Sequence, residues 1–113
     1  MLIAGFVIGG TTSRTVLIRA IGPGLTPFGV TGTLADPRLQ LFSGSTLVRE
    51  NDNWNGDQLL VGLGNTVGAF EIADRQSRDA MLLLTLAPGS YTARVGGANN
   101  GTGVALVEVY EVP

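Results

Sequence analysis

Apolar residues recur at every second position along much of this chain, and the clearest run is in its last third. Ala80, Leu82, Leu84 and Leu86 share one face, Tyr91, Ala93 and Val95 another, and Ala105, Val107 and Val109 a third. A period of two is that of half-buried β-strands. Ala87-Pro88-Gly89 is a tight turn between the first two runs, and Asn100-Gly101 lies in the turn before the last. The spacing predicts a three-strand antiparallel meander over Asp79 to Val112.

The same period extends towards the start. Leu2 to Gly9 is apolar on both faces, with Leu2, Ala4, Phe6 and Ile8 on one and Ile3 and Val7 on the other, and it ends at Gly9-Gly10. A sandwich strand buries one face, so the second must be covered either by a loop of the same domain or by another subunit. Arg14 to Ile21 sets Val16, Ile18 and Ala20 against Thr15, Leu17 and Arg19, and Gly22-Pro23-Gly24 breaks it. Leu25 to Pro37, with its prolines, glycines and threonines, reads as an irregular connection crossing between sheets, with Phe28 and Val30 plugging the open end of the core. Arg38 to Phe42 and Thr46 to Glu50 flank Ser43-Gly44-Ser45 as a hairpin.

Two stretches lack a strand period. LLVGLGNTVGAF, from Leu59 to Phe70, contains three glycines and predicts a loop with one helical turn at most. Glu71 to Arg78 is charged and reads as a solvated loop in which Asp74, Arg75, Arg78 and Asp79 are placed to pair at the surface. With 17 glycines among many β-branched residues, the chain predicts a single all-β domain over 1–113, an antiparallel β-sandwich of about seven or eight strands. A chain of this length buries about two-thirds of its unfolded surface without staples.

Composition narrows the function classes. There is no histidine, lysine or cysteine, so the commonest general base, the Schiff-base amine, the thiol nucleophile and thiolate metal ligands are all missing. Carboxylate pairs such as Asp52 with Asp57 or Glu108 with Glu111 remain only by default, and the expectation is no enzyme and no catalytic residue. The net charge of -2, with seven arginines spread singly, argues against nucleic acid. The apolar run Met1 to Ile8 is far shorter than the roughly 20 residues of a membrane span and lacks the marks of a secretory signal, so the chain reads as a mature or excised piece with no membrane insertion.

Candidate chemistry concentrates in Glu50 to Asp57. Asn51, Asn53, Asn55 and Asp57 alternate, with Gly56 to turn the chain, a partial echo of loops in which alternate side chains converge on calcium. Gly62 stands where a bidentate glutamate would close such a loop, and Asx residues also build turns by bonding their own backbone. Trp54, the only tryptophan, is either a sugar-stacking platform or a lid on the core. Asn100-Gly101-Thr102 matches a glycosylation sequon and reads first as a turn.

GFVIGG, VLIRAIGPGL, DPRLQLFSGSTLVRENDNW, VGAF and the stretch from DAMLLLTLAPGSYTARVGG to GTGVALVEVYEV together resemble a module of large secreted bacterial surface proteins. The likeness covers essentially the whole chain. In pattern it is similar to pre-peptidase C-terminal domains, in the DxxLxLF strand from Asp36 to Phe42, the polar loop from Asn51 to Trp54, and the Gly89 to Val95 segment. The resemblance implies a jelly-roll-like sandwich, an extracellular or cell-surface location, no catalysis, and calcium or polysaccharide as ligands of related domains. Only 14% of residues are charged, and mean hydropathy is +0.30. That surplus predicts a structural or adhesion module that packs on copies of itself or adjoining modules through its terminal strands, as a subunit of a surface array or fibre, with Leu2, Ile3, Phe6, Val7, Leu106 and Tyr110 at the contact. The alternative is a carbohydrate-binding module using Trp54 and the Asn51 to Asp57 loop, with calcium as a stabilising ion.

Overall fold

The computed structural model describes residues 1–113 and contains seven strands in two sheets. They are β1 (Leu2–Ile8), β2 (Arg14–Ile21), β3 (Pro37–Ser43), β4 (Thr46–Asn51), β5 (Ala80–Leu86), β6 (Gly89–Gly97) and β7 (Leu106–Glu111), with one helix, α1 (Gln58–Val67), between β4 and β5. One sheet has the order β1-β6-β3-β4 and the other β5-β2-β7, every pairing antiparallel. The fold is the expected antiparallel β-sandwich, and as in a jelly roll successive strands alternate between sheets, the β3–β4 hairpin excepted.

That alternation overturns the meander. β5, β6 and β7 do not pair with one another: β5 and β7 flank β2, while β6 lies between β1 and β3. The short link Ala87-Pro88 is an arch between layers, helped by Gly89, whose φ of 152° few other residues adopt. Inward faces fall where the period puts them. Val16, Ile18 and Ala20 of β2, Leu82, Leu84 and Leu86 of β5, Ala93 and Val95 of β6, and Leu39 and Leu41 of β3 form the main core. Val107 and Val109 stand opposite Ala20 and Ile18 in register, so they face the same interior.

The outer face of the three-stranded sheet is also covered, which a two-layer reading misses. Leu17 and Ile21 are fully buried there, and Arg19 is 3% exposed. Ile21, Leu25, Trp54, Ile72 and Met81 form a second cluster, joined by Val30, Leu60, Val61 and Phe70. Val30 therefore plugs the second cluster, whereas Phe28 is 61% exposed and stacks edge-on against Phe70.

α1 replaces the expected loop. Asp57 caps its N-terminus by accepting the Leu59 N–H at 2.9 Å, and Gly68, at φ 77°, ends it in a left-handed cap. Two internal glycines hide the helical period, yet Gly64 is buried and faces the Arg19 guanidinium, which a Cβ there would meet at an ordinary contact distance of 3.7 Å. Glu71 to Arg78 is only partly the solvated loop expected, because Ile72 is buried in the second cluster. α1 is the only α-helix, and no helix is long and apolar enough to cross a membrane.

Candidate functional site

Glu50 to Asp57 leaves β4 and turns inward. The Asn51 amide accepts the Met81 N–H at 3.1 Å and donates to the Asn53 carbonyl at 3.1 Å, which ties the end of β4 to β5. Asn53 donates to the Asp52 carboxylate at 2.9 Å, and Asn55 and Gly56 both take left-handed backbone, at φ 59°. A Cβ on Gly56 would stand 2.6 Å from the Arg75 carbonyl, so glycine is required there. Asp57 is the cap of α1. Of the four residues proposed to hold calcium, Asn51 Oδ1 and Asp57 Oδ1 accept backbone N–H groups, and no group of three or more acidic, histidine or cysteine side chains is placed to hold a metal ion. The loop has the geometry of Asx turns that organise the chain.

Trp54 is 4% exposed. Its indole N–H donates to Ser77 Oγ at 3.2 Å and its ring completes the second cluster, so neither ring face is offered to a sugar. This corrects the stacking platform and assigns Trp54 to the core. Ser77 Oγ supplies the partner that the buried indole N–H needs.

The centre of this region is a residue the sequence pattern places at the surface. Asp79 is fully buried. Its Oδ1 accepts the N–H groups of Gly22 at 2.7 Å and Gly24 at 3.2 Å, its Oδ2 accepts the Ser77 hydroxyl at 2.6 Å, and its carbonyl accepts the Trp54 N–H at 3.0 Å. Gly22-Pro23-Gly24 is thus more than a strand breaker, since it presents two backbone donors to one carboxylate. A Cβ on Gly22 would lie 2.1 Å from the Leu34 carbonyl oxygen and one on Gly24 2.9 Å from Asp79 Oδ2. The G-P-G spacing was visible, but nothing local links it to a residue more than fifty positions away. The other charges of that segment do lie outside: Arg78 is 3.6 Å from Asp36, and Arg75 donates to Gln58 at 3.0 Å.

Arg19 is the second buried charge. Nη1 donates to the Phe70 carbonyl at 2.8 Å, and the guanidinium lies 4.6 Å from the Phe70 ring centre. Nε lies 2.8 Å from Glu108 Oε1 without the alignment of a directed hydrogen bond, so this contact is chiefly Coulombic. Glu108 also accepts the Tyr110 hydroxyl at 2.7 Å. Burial, that hydrogen bond and the Glu108 charge push the Tyr110 phenol above its ordinary value of 10.0, with Arg19 opposing. Glu108 and Glu111 lie on opposite faces of β7, and Glu111 instead faces Arg14 at 3.5 Å. The cavity beside Arg19, under α1, has a volume of about 20 Å³, room for little more than one water.

The remaining candidates lie on the terminal strands, each at the edge of its sheet. On β1, Ile3 is 59% and Val7 71% exposed, so no loop of the domain covers that face. Leu2 is partly exposed, and Phe6 is half-buried, stacked on Tyr91 with ring centres 5.7 Å apart. On β7, Leu106 is partly exposed and Tyr110 half-buried on the outer side of its sheet. β1 and β7 border the same side of the sandwich. A cavity of about 340 Å³ lies between Leu2 and Val104 at one end of that side, and one of about 240 Å³ between Val7 and Glu111 at the other.

Comparison with known proteins adds no assignment: no family model, no curated protein and no solved structure matches this chain.

Proposed function

We propose that this domain is a non-catalytic structural or adhesion module of a secreted or cell-surface bacterial protein, and that it packs against copies of itself or adjoining modules through its terminal strands. The observation that carries the reading is the position of β1 and β7. Each is an edge strand, and the two border one side of the sandwich where apolar side chains stay in water. Free edges and contiguous apolar surface are what proteins bury on association. β1 has neither charge nor proline to block strand addition. The location rests on the likeness to modules of secreted surface proteins.

Sedimentation of the domain over a wide concentration range tests the reading. Concentration-dependent assembly is expected, and a single monomeric species throughout would remove its main support. Trp54 is too buried to favour the carbohydrate alternative. Repeating the series with calcium and with chelator separates metal-dependent stability from assembly.

A further inference from the structure

The two sheets are unequal, with four strands against three. Across the layers β5 sits over β3 and β4, and β2 over β3. β7, next in its sheet, therefore lies towards β6, and β1 has no strand opposite it. The exposure pattern agrees. Val109 points inward, in register with the fully buried Ile18, yet is 37% exposed, and Leu2, on the inward face of β1, is 38% exposed. The interior is open along this side, with the two cavities at its ends.

Backbone groups are free here as well. The Val112 N–H bonds the Thr15 carbonyl at 2.8 Å. In an antiparallel ladder bonded and non-bonded pairs alternate. The even-numbered residues of β7 therefore turn their N–H and C=O groups to β2, while Val107, Val109 and Glu111 turn theirs to the empty edge. β1 pairs with β6 alone.

We propose that the strand missing beside β7 is supplied by a second copy of this chain, in a two-fold dimer where β1 of each copy adds to β7 of the other. This rests on the self-association reading and gives it a geometry. Three strands plus four make a continuous sheet in the order β5-β2-β7-β1-β6-β3-β4, and the symmetry generates the same sheet in the facing layer. Each β1 then gains a strand opposite it, namely β1 of the second copy, and Leu2, Ala4 and Phe6 of the two copies meet across the layers.

Strand direction fits a single two-fold axis along the strands. β1 and β2 run in opposite senses about the link Gly9–Ser13, and β7 is antiparallel to β2, so β7 runs with β1. The new ladders are parallel. Such ladders are slightly weaker per residue, but these also close the core. The contact is isologous, so it closes at two copies and leaves no free β1 or β7 edge for a fibre. The uncharged β1 enters beside the inward valines of β7, while Arg14 and Glu111 stay at the rim.

Sedimentation velocity and equilibrium on the 113-residue chain, with three single variants, test this arrangement. Val109→Lys puts a charge into the open interior, and Val109→Pro removes an N–H that its own sheet does not use. Val48→Lys alters β4, the far edge of the other sheet. Emission from the buried Trp54 confirms that each variant is folded. A closed monomer–dimer equilibrium is expected, weakened at least tenfold by either change at Val109 and unchanged by Val48→Lys. Dimers insensitive to Val109, dimers lost on Val48→Lys, or open-ended polymers would overturn this interface and leave self-association standing. A wild-type chain that is monomeric at every concentration defeats both. If that monomer takes up a peptide copying Leu2–Ile8, the edge belongs to a strand from a different chain.

Discussion

Replacing Asp79 by alanine removes the side chain that joins the start of β5 to the Gly22–Gly24 turn and to Ser77, and leaves the backbone bond from Trp54 in place. Two buried backbone N–H groups, of Gly22 and Gly24, lose their acceptor, and the Ser77 hydroxyl loses its own. A buried donor left unsatisfied costs about 1–3 kcal/mol. Two such donors give a loss of about 2–6 kcal/mol, large against the roughly 5–15 kcal/mol of a typical domain. Urea unfolding followed by Trp54 fluorescence reads it directly. With a slope of about 2 kcal/mol per molar, a central loss of about 4 kcal/mol lowers the midpoint by about 2 M. Asp79→Asn keeps an oxygen facing the two N–H groups and loses only the charge assistance, so about 1–2 kcal/mol is expected. The Gly22 and Gly24 amides should exchange with solvent far faster in the alanine variant. An alanine variant within about 0.5 kcal/mol of wild type, the usual range for inert surface changes, or an asparagine variant equally damaged, would refute this account.

Three further outcomes follow from the same geometry. Gly22→Ala is expected to unfold the domain or cost several kcal/mol, because the new methyl meets backbone, whereas Gly62→Ala, with open space around it in α1, should stabilise by about 0.5–1 kcal/mol; thermal melts of the pair check both. Glu108→Ala leaves the Arg19 guanidinium buried without its counter-charge and should cost about 3–5 kcal/mol by denaturant titration, while Glu111→Ala, at an exposed pair, should cost under about 1 kcal/mol. Tyr110 titrates above 10.0 in the folded chain, so its contribution is fully present below pH 10.0 and is lost as pH rises through the higher folded value. Tyr110→Phe should remove that alkaline dependence, seen in unfolding curves measured on both sides of pH 10.0.

Particular elements show how far local pattern reaches. β2 is read from its alternation to the residue, and the inward faces of β3, β5, β6 and β7 are read correctly. α1 is missed because Gly62 and Gly64 dilute its period, although Asp57 as a cap and Gly68 beyond the end were signals available in the sequence. The Asn51 to Asp57 stretch is recognisable as special, but its side chains organise backbone, and a turn and a weak ion site use the same residue types. Asp79 is illegible as a buried hub, since its partners Gly22 and Gly24 are neighbours only in space.

By itself the sequence determines that this is an all-β domain with strands at these positions, these inward faces, and more apolar surface on its terminal strands than one core absorbs. Those are consequences of side-chain period and composition, which every short window carries. Only the tertiary structure decides that β5, β6 and β7 divide between two sheets, that Trp54 and Asp79 are interior, and that β1 and β7 flank one open side. Alternation says which face of a strand is buried. Which strands become neighbours, and which charge is enclosed, depends on contacts between residues far apart in the chain.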